Sequence, residues 1–336
     1  MSAASLLRRG FNLPEMFLGP DDLRWADMIR GPRGRFQERD LAWIAEWGFN
    51  FVRLPLSYRW WASPAAPEQI DEAALAPVDA AVEWAERYGL RLALCLHHAP
   101  GFCINPAPQP DRFNLWRDDA ARACFVHHWR TLARRYAHVA SERVEFNLVN
   151  EPAHCTAAEH EGVTRAAVAA VREISPTRPI TIDGRDAGQT PCPELADLPG
   201  VTQSCRGYWP NEVTHHLAWW AGEPSQPPAW PWRRPDGTTA DRAALRERYA
   251  PWRALAAQGV PVYCGELGAW HRTPHAVFLR WLEDLLETLR EFNCGWALWN
   301  FRGSFGVLDS TRGDVAYADW HGVPLDRALL DLLRRF

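Results

Sequence analysis

Residues 146–152 read FNLVNEP, and apolar Phe146, Leu148 and Val149 lead straight into Asn150, Glu151 and Pro152. A short apolar run of this kind is a strand buried on both faces, and chemistry can sit on its polar end. Residues 262–268, VYCGELG, repeat the plan, with Val262, Tyr263 and Cys264 running up to Glu266. Two carboxylates at the ends of two apolar strands set the frame for the rest of the chain.

On either side of these two, β-rich runs occur near residues 9–13, 51–54, 91–96, 180–183, 201–206 and 295–299, beside 144–149 and 261–264. Longer amphipathic segments separate them at 36–47, 71–88, 118–138, 158–174, 241–257, 274–292 and 324–333, with a weaker one at 191–198. This alternation predicts an α/β fold, a (β/α)8 TIM barrel. A doubly wound open sheet is the rival, but no Gly-rich phosphate turn follows the first strand. Residues 208–240 break the rhythm with Trp209, Trp219, Trp220, Trp230 and Trp232 and no clear period. They predict a Trp/Pro-rich loop inserted at the catalytic face after the sixth strand, and residues 1–336 read as one catalytic domain.

Composition removes several classes of function. The chain has 336 residues, 23% charged and 47% hydrophobic, which excludes a mainly disordered protein. A net charge of -4 without a basic block argues against nucleic acid or a membrane surface as partner. All 37 basic residues are Arg, so no Schiff-base, pyridoxal or P-loop lysine is available. Eight Cys without a CxxC pair resemble neither a disulfide framework nor a zinc cluster, and reduced thiols are expected. The first residues, MSAASLLRRGFNLPEMF, lack the order of a secretory signal, so a cytoplasmic location is expected.

Active sites of such barrels lie at the C-terminal strand ends. The residues there are Asn12, Arg53, His97, His98, Asn150, Glu151, Arg206, Tyr208, Glu266 and Trp299. Two carboxyls about 5–5.5 Å apart across a sugar bond make a retaining glycosidase, one protonated as acid and the other ionised as nucleophile. Asn150 suits a substrate hydroxyl, Arg53 and Tyr208 suit an ionised Glu266, and Trp299 suits a stacking floor for a sugar ring. Neighbouring His97 and His98 point to opposite sides of a strand, so only His97 is expected in the site and no metal pair is read there. His127 and His128 fall mid-helix and read as solvated or half-buried. Trp25, Trp43, Trp47, Trp60 and Trp61 read as packing. The Trp-rich loop reads as a sugar-stacking wall, as a lid on the barrel rim, or as both.

The ordered set RRGFNL, GFNFVRLP, LHHAPG, FNLVNEP, YWPNEVTHH, VYCGELG and GWALWNFRGSFG spans the chain and resembles glycoside hydrolase family 5, the cellulase and exo-glucanase family. The resemblance implies Glu151 as acid/base and Glu266 as nucleophile. It implies active-site positions for Arg53, His97, Asn150, Tyr208 and Trp299. His215 matches a Thr-His seen in some relatives. The chain departs from the family's usual His-x-Tyr after the sixth strand, reading Arg206-Gly207-Tyr208. A fixed cation there is expected to lower the pKa of Glu151, unless Arg206 points elsewhere or contacts substrate.

The expected activity is retaining hydrolysis of β-linked glucan-type oligosaccharides or β-glycosides, exo-action slightly favoured, with neither metal nor cofactor. The alternatives are a transglycosidase using the same pair and a non-catalytic carbohydrate-binding protein with a decayed site. The sequence leaves the sugar, the linkage and the oligomeric state open.

Overall fold

Eight parallel strands form where the apolar runs place them: β1 Arg9–Asn12, β2 Phe51–Ser57, β3 Arg91–Ala99, β4 Val144–Asn147, β5 Ile180–Asp183, β6 Val201–Gly207, β7 Val262–Leu267 and β8 Gly295–Leu298. Each pairs with the next, and β8 returns to β1, so the sheet closes into a (β/α)8 barrel. The computed structural model describes residues 7–105, 107–222 and 226–336. Closure leaves the barrel sheet without free edges, and nearly every strand residue is buried, which is why the runs are apolar on both faces.

The barrel interior follows the two-residue period of the strands. Near the N-terminal end, Phe51, Ala93, Tyr263 and Ala297 form a small buried cluster of their own. Arg8 lies over the Tyr263 ring at 4.7 Å and bonds Glu145 Oε2 at 2.7 Å. Two residues further along the same strands stand Arg53, Cys95 and Asn147, and their register carries them towards the catalytic end. β7 departs from the period. Its register shifts between Cys264 and Glu266, a bulge against both β6 and β8. Strict alternation from Tyr263 would aim Gly265 inward and Glu266 outward; the extra residue re-aims Glu266 into the barrel. A Cβ at 265 would collide with Ser204 Oγ and meet Arg206 Nη1 at 3.0 Å, so a side chain there would displace the groups beside Glu266.

The outer layer differs in detail from the sequence expectation. Helices Glu38–Glu46, Ala76–Arg87, Asp119–Arg135 and His275–Arg290 lie inside the expected spans; Ala157–Ile174 begins one residue before its own, where Thr156 and Glu159 cap it in a reciprocal box. Segment 241–257 is two helices, Arg242–Arg248 and Ala250–Ala257, interrupted beside Pro251, whose ring cannot continue the first. Segment 191–198 forms only the 3₁₀ turn Pro193–Leu195. The last helix starts at Arg327, because Val323–Leu325 pairs with Ala318–Trp320 in a hairpin.

The insertion is two unlike parts. Trp230 and Trp232 are buried against the barrel, with Trp230 Nε1 donating to Asp284, and Trp232–Arg233 pairs with Thr239–Ala240. Leu217 and Trp219 stand exposed at the catalytic face. Among the described residues no helix is long and apolar enough to cross a membrane. All eight cysteines are free thiols.

Candidate active site

Arg53, wholly buried on β2, organises the floor. Its Nη1 donates to Glu266 Oε1 at 2.6 Å and to Asn12 Oδ1 at 2.9 Å, its Nε to Asn147 Oδ1 at 2.8 Å, and its Nη2 to Asn150 Oδ1 at 2.7 Å. Tyr208 donates its hydroxyl to the other oxygen of Glu266 at 3.2 Å. The barrel thus brings the end of β7 against β2 and β6, the arrangement expected for an ionised Glu266.

Arg206 points into the site. Its Nε donates to Glu151 Oε1 at 2.8 Å, its Nη2 to Asn150 Oδ1 at 2.8 Å, and the same Nη2 lies 3.4 Å from Glu266 Oε1. Both glutamates therefore reach one guanidinium. The expected depression of the Glu151 pKa does not follow. Burial first and the charge of Glu266 second push the Glu151 carboxyl up to about 7, and the opposing pull of Arg206 is smaller. The cation acts in the expected direction and loses, because desolvation in the barrel mouth outweighs it.

His97 lines the mouth. Its Nε2 meets Asn105 Oδ1 at 2.7 Å, and its ring stacks near Trp299 at 5.9 Å. Burial pushes His97 and His215 down to about 4, so both are neutral near pH 7. His98 turns away to Asp111 at 3.1 Å, as the strand period requires. His127 is exposed, whereas His128 is fully buried, correcting its expectation; it accepts from Trp61 Nε1 at 3.0 Å.

The mouth is a cavity of about 410 Å³, bordered by Glu151, Glu266, His97, Tyr208, His215 and Trp299. Arg53, Asn150 and Arg206 lie beneath it. Its apolar wall is Phe17, Phe305, Trp219, Trp220 and Trp25. Trp25 packs at the rim as expected: it is buried and meets Trp219 at 4.8 Å and Trp220 at 4.7 Å, which makes it part of the wall. A larger cavity of about 530 Å³ opens beside Arg59, Trp60 and His98, away from the carboxylate pair. Size alone would select it; the facing carboxylates select the smaller one.

Sequence reasoning missed Asp183. This fully buried carboxylate at the end of β5 accepts from Arg206 Nη2, from the Glu151 N–H at 3.0 Å and from Asn147 Nδ2 at 3.0 Å. Burial opposes its ionisation, but Arg206, Arg53 and the Glu151 N–H together hold it below the usual carboxylate range. The available signal was its place, ITID at a strand end. It also missed Asn105 and Asn147. Buried polar atoms here without a partner among the described residues include Asn150 Nδ2 and His97 Nδ1, and Trp25 Nε1 in the wall. Buried polar groups are normally satisfied; of these, Asn150 Nδ2 is a donor, whereas His97 Nδ1 is an acceptor, because the neutral ring donates from Nε2 to Asn105 Oδ1.

His160, Cys192 and Glu194 bring three potential ligand atoms within 4.8 Å of one another. Arg185 Nε stands 3.5 Å from Glu194, and a guanidinium there disfavours a divalent cation. This group lies outside the mouth.

A model of the family Cellulase (glycosyl hydrolase family 5) matches residues 31–304. Endoglucanase C of Acetivibrio thermocellus is 28% identical over 305 residues, 83% of this chain and 88% of the relative. Cellodextrinase A of Ruminococcus flavefaciens is 25% identical over 252 residues, 74% of this chain and 73% of the relative. A solved structure described as a glycoside hydrolase superposes with a TM-score of 0.89 at 37% identity, covering 98% of this chain and 99% of that one.

Proposed function

Since the chain belongs to glycosyl hydrolase family 5 and is a retaining, endoglucanase-like glycoside hydrolase, we propose that it cleaves short β-linked gluco-oligosaccharides or β-glycosides, with Glu151 as acid/base and Glu266 as nucleophile. The observation that carries the assignment is the unequal environment of the two carboxylates. Glu151 is pushed up to about 7, whereas Glu266 accepts hydrogen bonds from Arg53 and Tyr208.

In the first step a Glu266 oxygen attacks the anomeric carbon. Glu151 gives its proton to the glycosidic oxygen as the C–O bond breaks, and the leaving sugar departs as an alcohol. In the second step water attacks the same carbon. Glu151 takes the water's proton, the glycosyl–Glu266 bond breaks, and the sugar leaves with its original configuration. Asn150 Nδ2 is a free donor and His97 Nδ1 a free acceptor for sugar hydroxyls, and Trp299 offers a flat face beneath a ring.

Two features support short substrates and end-on action. A mouth of about 410 Å³ lies at the small end of ligand pockets, roughly 300–1,000 Å³. The loop carrying Trp219 and Trp220 walls one side of it. A relative named cellodextrinase accords with soluble fragments as substrates.

The test is intact mass after incubation with activated 2-deoxy-2-fluoro-β-glycosides of gluco, manno and galacto configuration. A stable adduct on the wild type and none on Glu266→Gln assigns the nucleophile and names the sugar. Absence of any adduct, together with no turnover of aryl β-glycosides, rejects the proposal.

A further inference from the structure

Reading the reaction through Glu151 and Glu266 leaves Arg206 unexplained, because a guanidinium on the acid opposes its protonation. Asp183 meets Arg206 from β5. Its carboxylate is wholly buried and lies 3.8 Å from Arg53 as well. Two cations, Arg53 and Arg206, thus face two anions, Asp183 and Glu266, beneath the mouth. The set is neutral when Glu151 carries its proton and bears one negative charge when it does not. An uncompensated charge is costly where water is excluded, so the balance favours the protonated acid.

The same carboxylate also sets a backbone. Glu151 has a positive φ of 47°, a conformation that residues with a side chain rarely adopt. Its N–H donates to Asp183 Oδ2, which ties the turn after β4 to the end of β5.

We infer that Asp183 is a positioning residue for Glu151, taking up the charge of Arg206 and fixing the backbone from which the acid reaches the mouth. The inference rests on the reading of Glu151 as the acid. Arg206 and Asp183 then form one compensated unit at the place where the resemblance leads one to expect a single histidine. The charged and titratable groups facing Glu151 are Glu266 from β7, Arg206 and Tyr208 from β6 and its end, and Asp183 from β5. His97 and His215 border the same mouth but are neutral near pH 7, and burial with the two glutamates holds the Tyr208 hydroxyl protonated.

The experiment is a ¹³C NMR titration of protein labelled at the glutamate carboxyls, with the Glu151 signal identified by its loss in Glu151→Gln. It needs no turnover, so a wrong catalytic assignment shows in the trapping experiment and leaves this one readable. In Asp183→Asn the midpoint is expected to fall by about 1 unit or more, because an anion is lost and the guanidinium is released onto Glu151. In Arg206→His it rises, since Asp183 is then an uncompensated anion beside the acid. The double variant returns towards the wild type. With aryl β-glycosides the basic limb of kcat/KM moves with the midpoint in Asp183→Asn, and poor leaving groups, which need the acid most, lose most. An unmoved midpoint in folded Asp183→Asn, or an equal loss for all leaving groups with the limb in place, overturns the inference. If Asp183→Asn does not fold, Arg206→His decides: a midpoint that fails to rise overturns it.

Discussion

Inside the barrel the described residues form a buried ionic group at each end. At the N-terminal end Arg8 donates to both oxygens of Glu145, Thr181 adds a third donor, and neither charged residue keeps an unpartnered buried atom. At the C-terminal end Arg53 and Arg206 face Asp183, Glu266 and Glu151, and Asn150 Nδ2 and His97 Nδ1 are left over. In the first group Glu145 has every oxygen satisfied between Arg8 and Thr181, with Arg91 as a more distant second cation at 4.0 Å. The second balances only with a proton on Glu151 and keeps a donor, Asn150 Nδ2, and an acceptor, His97 Nδ1, without partners among the described residues. On the proposed mechanism the difference separates an ion pair that holds strands together from one that moves a proton, the incomplete group being the working one.

The sharpest break of this comparison is Glu266→Gln. It is expected to lower kcat on the order of 10⁴-fold or more with little change in melting temperature, measured with aryl β-glycosides. Glu145→Gln should do the reverse. It leaves Arg8 buried without its counter-charge and is expected to cost about 3–5 kcal/mol in urea unfolding, with the pH profile of the surviving activity unmoved. If it shifts that profile instead, the two ends are coupled and the distinction fails.

The proton itself gives the next test. The acid must be protonated for the first step, so kcat/KM is expected to fall as pH rises through about 7, the value to which burial and Glu266 push Glu151. Linkage fixes the sign for stability too. A carboxyl whose folded pKa is raised binds more protons folded than unfolded, so its contribution to stability declines between its unfolded value and about 7. A basic limb that stays in place in Glu151→Gln would assign that limb to another group.

The smallest expected effect concerns the insertion. Trp219, 61% exposed at the mouth, should when changed to Ala raise KM by about 3- to 10-fold, worth about 1 kcal/mol, and leave the melting temperature alone. Trp230→Ala should instead lower stability by about 3–5 kcal/mol with KM nearly unchanged, because that ring is buried on the barrel.

Much of this was legible in the chain. Apolar runs buried on both faces mark strands by composition alone, and a polar residue straight after one marks the catalytic end; Asn150 and Glu151 were found that way, and Arg53 as the one charge inside an apolar strand. The Trp-rich loop was legible only as an interruption, since nothing in its composition separates Trp219 from Trp230. Trp25 packs as expected, but nothing in the sequence shows that the rings it packs against wall the cleft. Pro251 divides a helix that its apolar period runs straight through.

By itself the sequence determined what depends on local pattern: eight strands in order, the two carboxylates at their ends and the arginine beside Tyr208. Three things were decided only in three dimensions. The bulge at 264–266 turns Glu266 inward, against the strand period that any pattern reading assumes. Asp183 meets Arg206 and Glu151 across two further strands. The acid is pushed up to about 7 although a cation touches it. The physical reason is common to all three. Pattern records which face a residue is on, whereas register shifts and the strength of charges in a dry interior depend on every neighbour the closed barrel assembles.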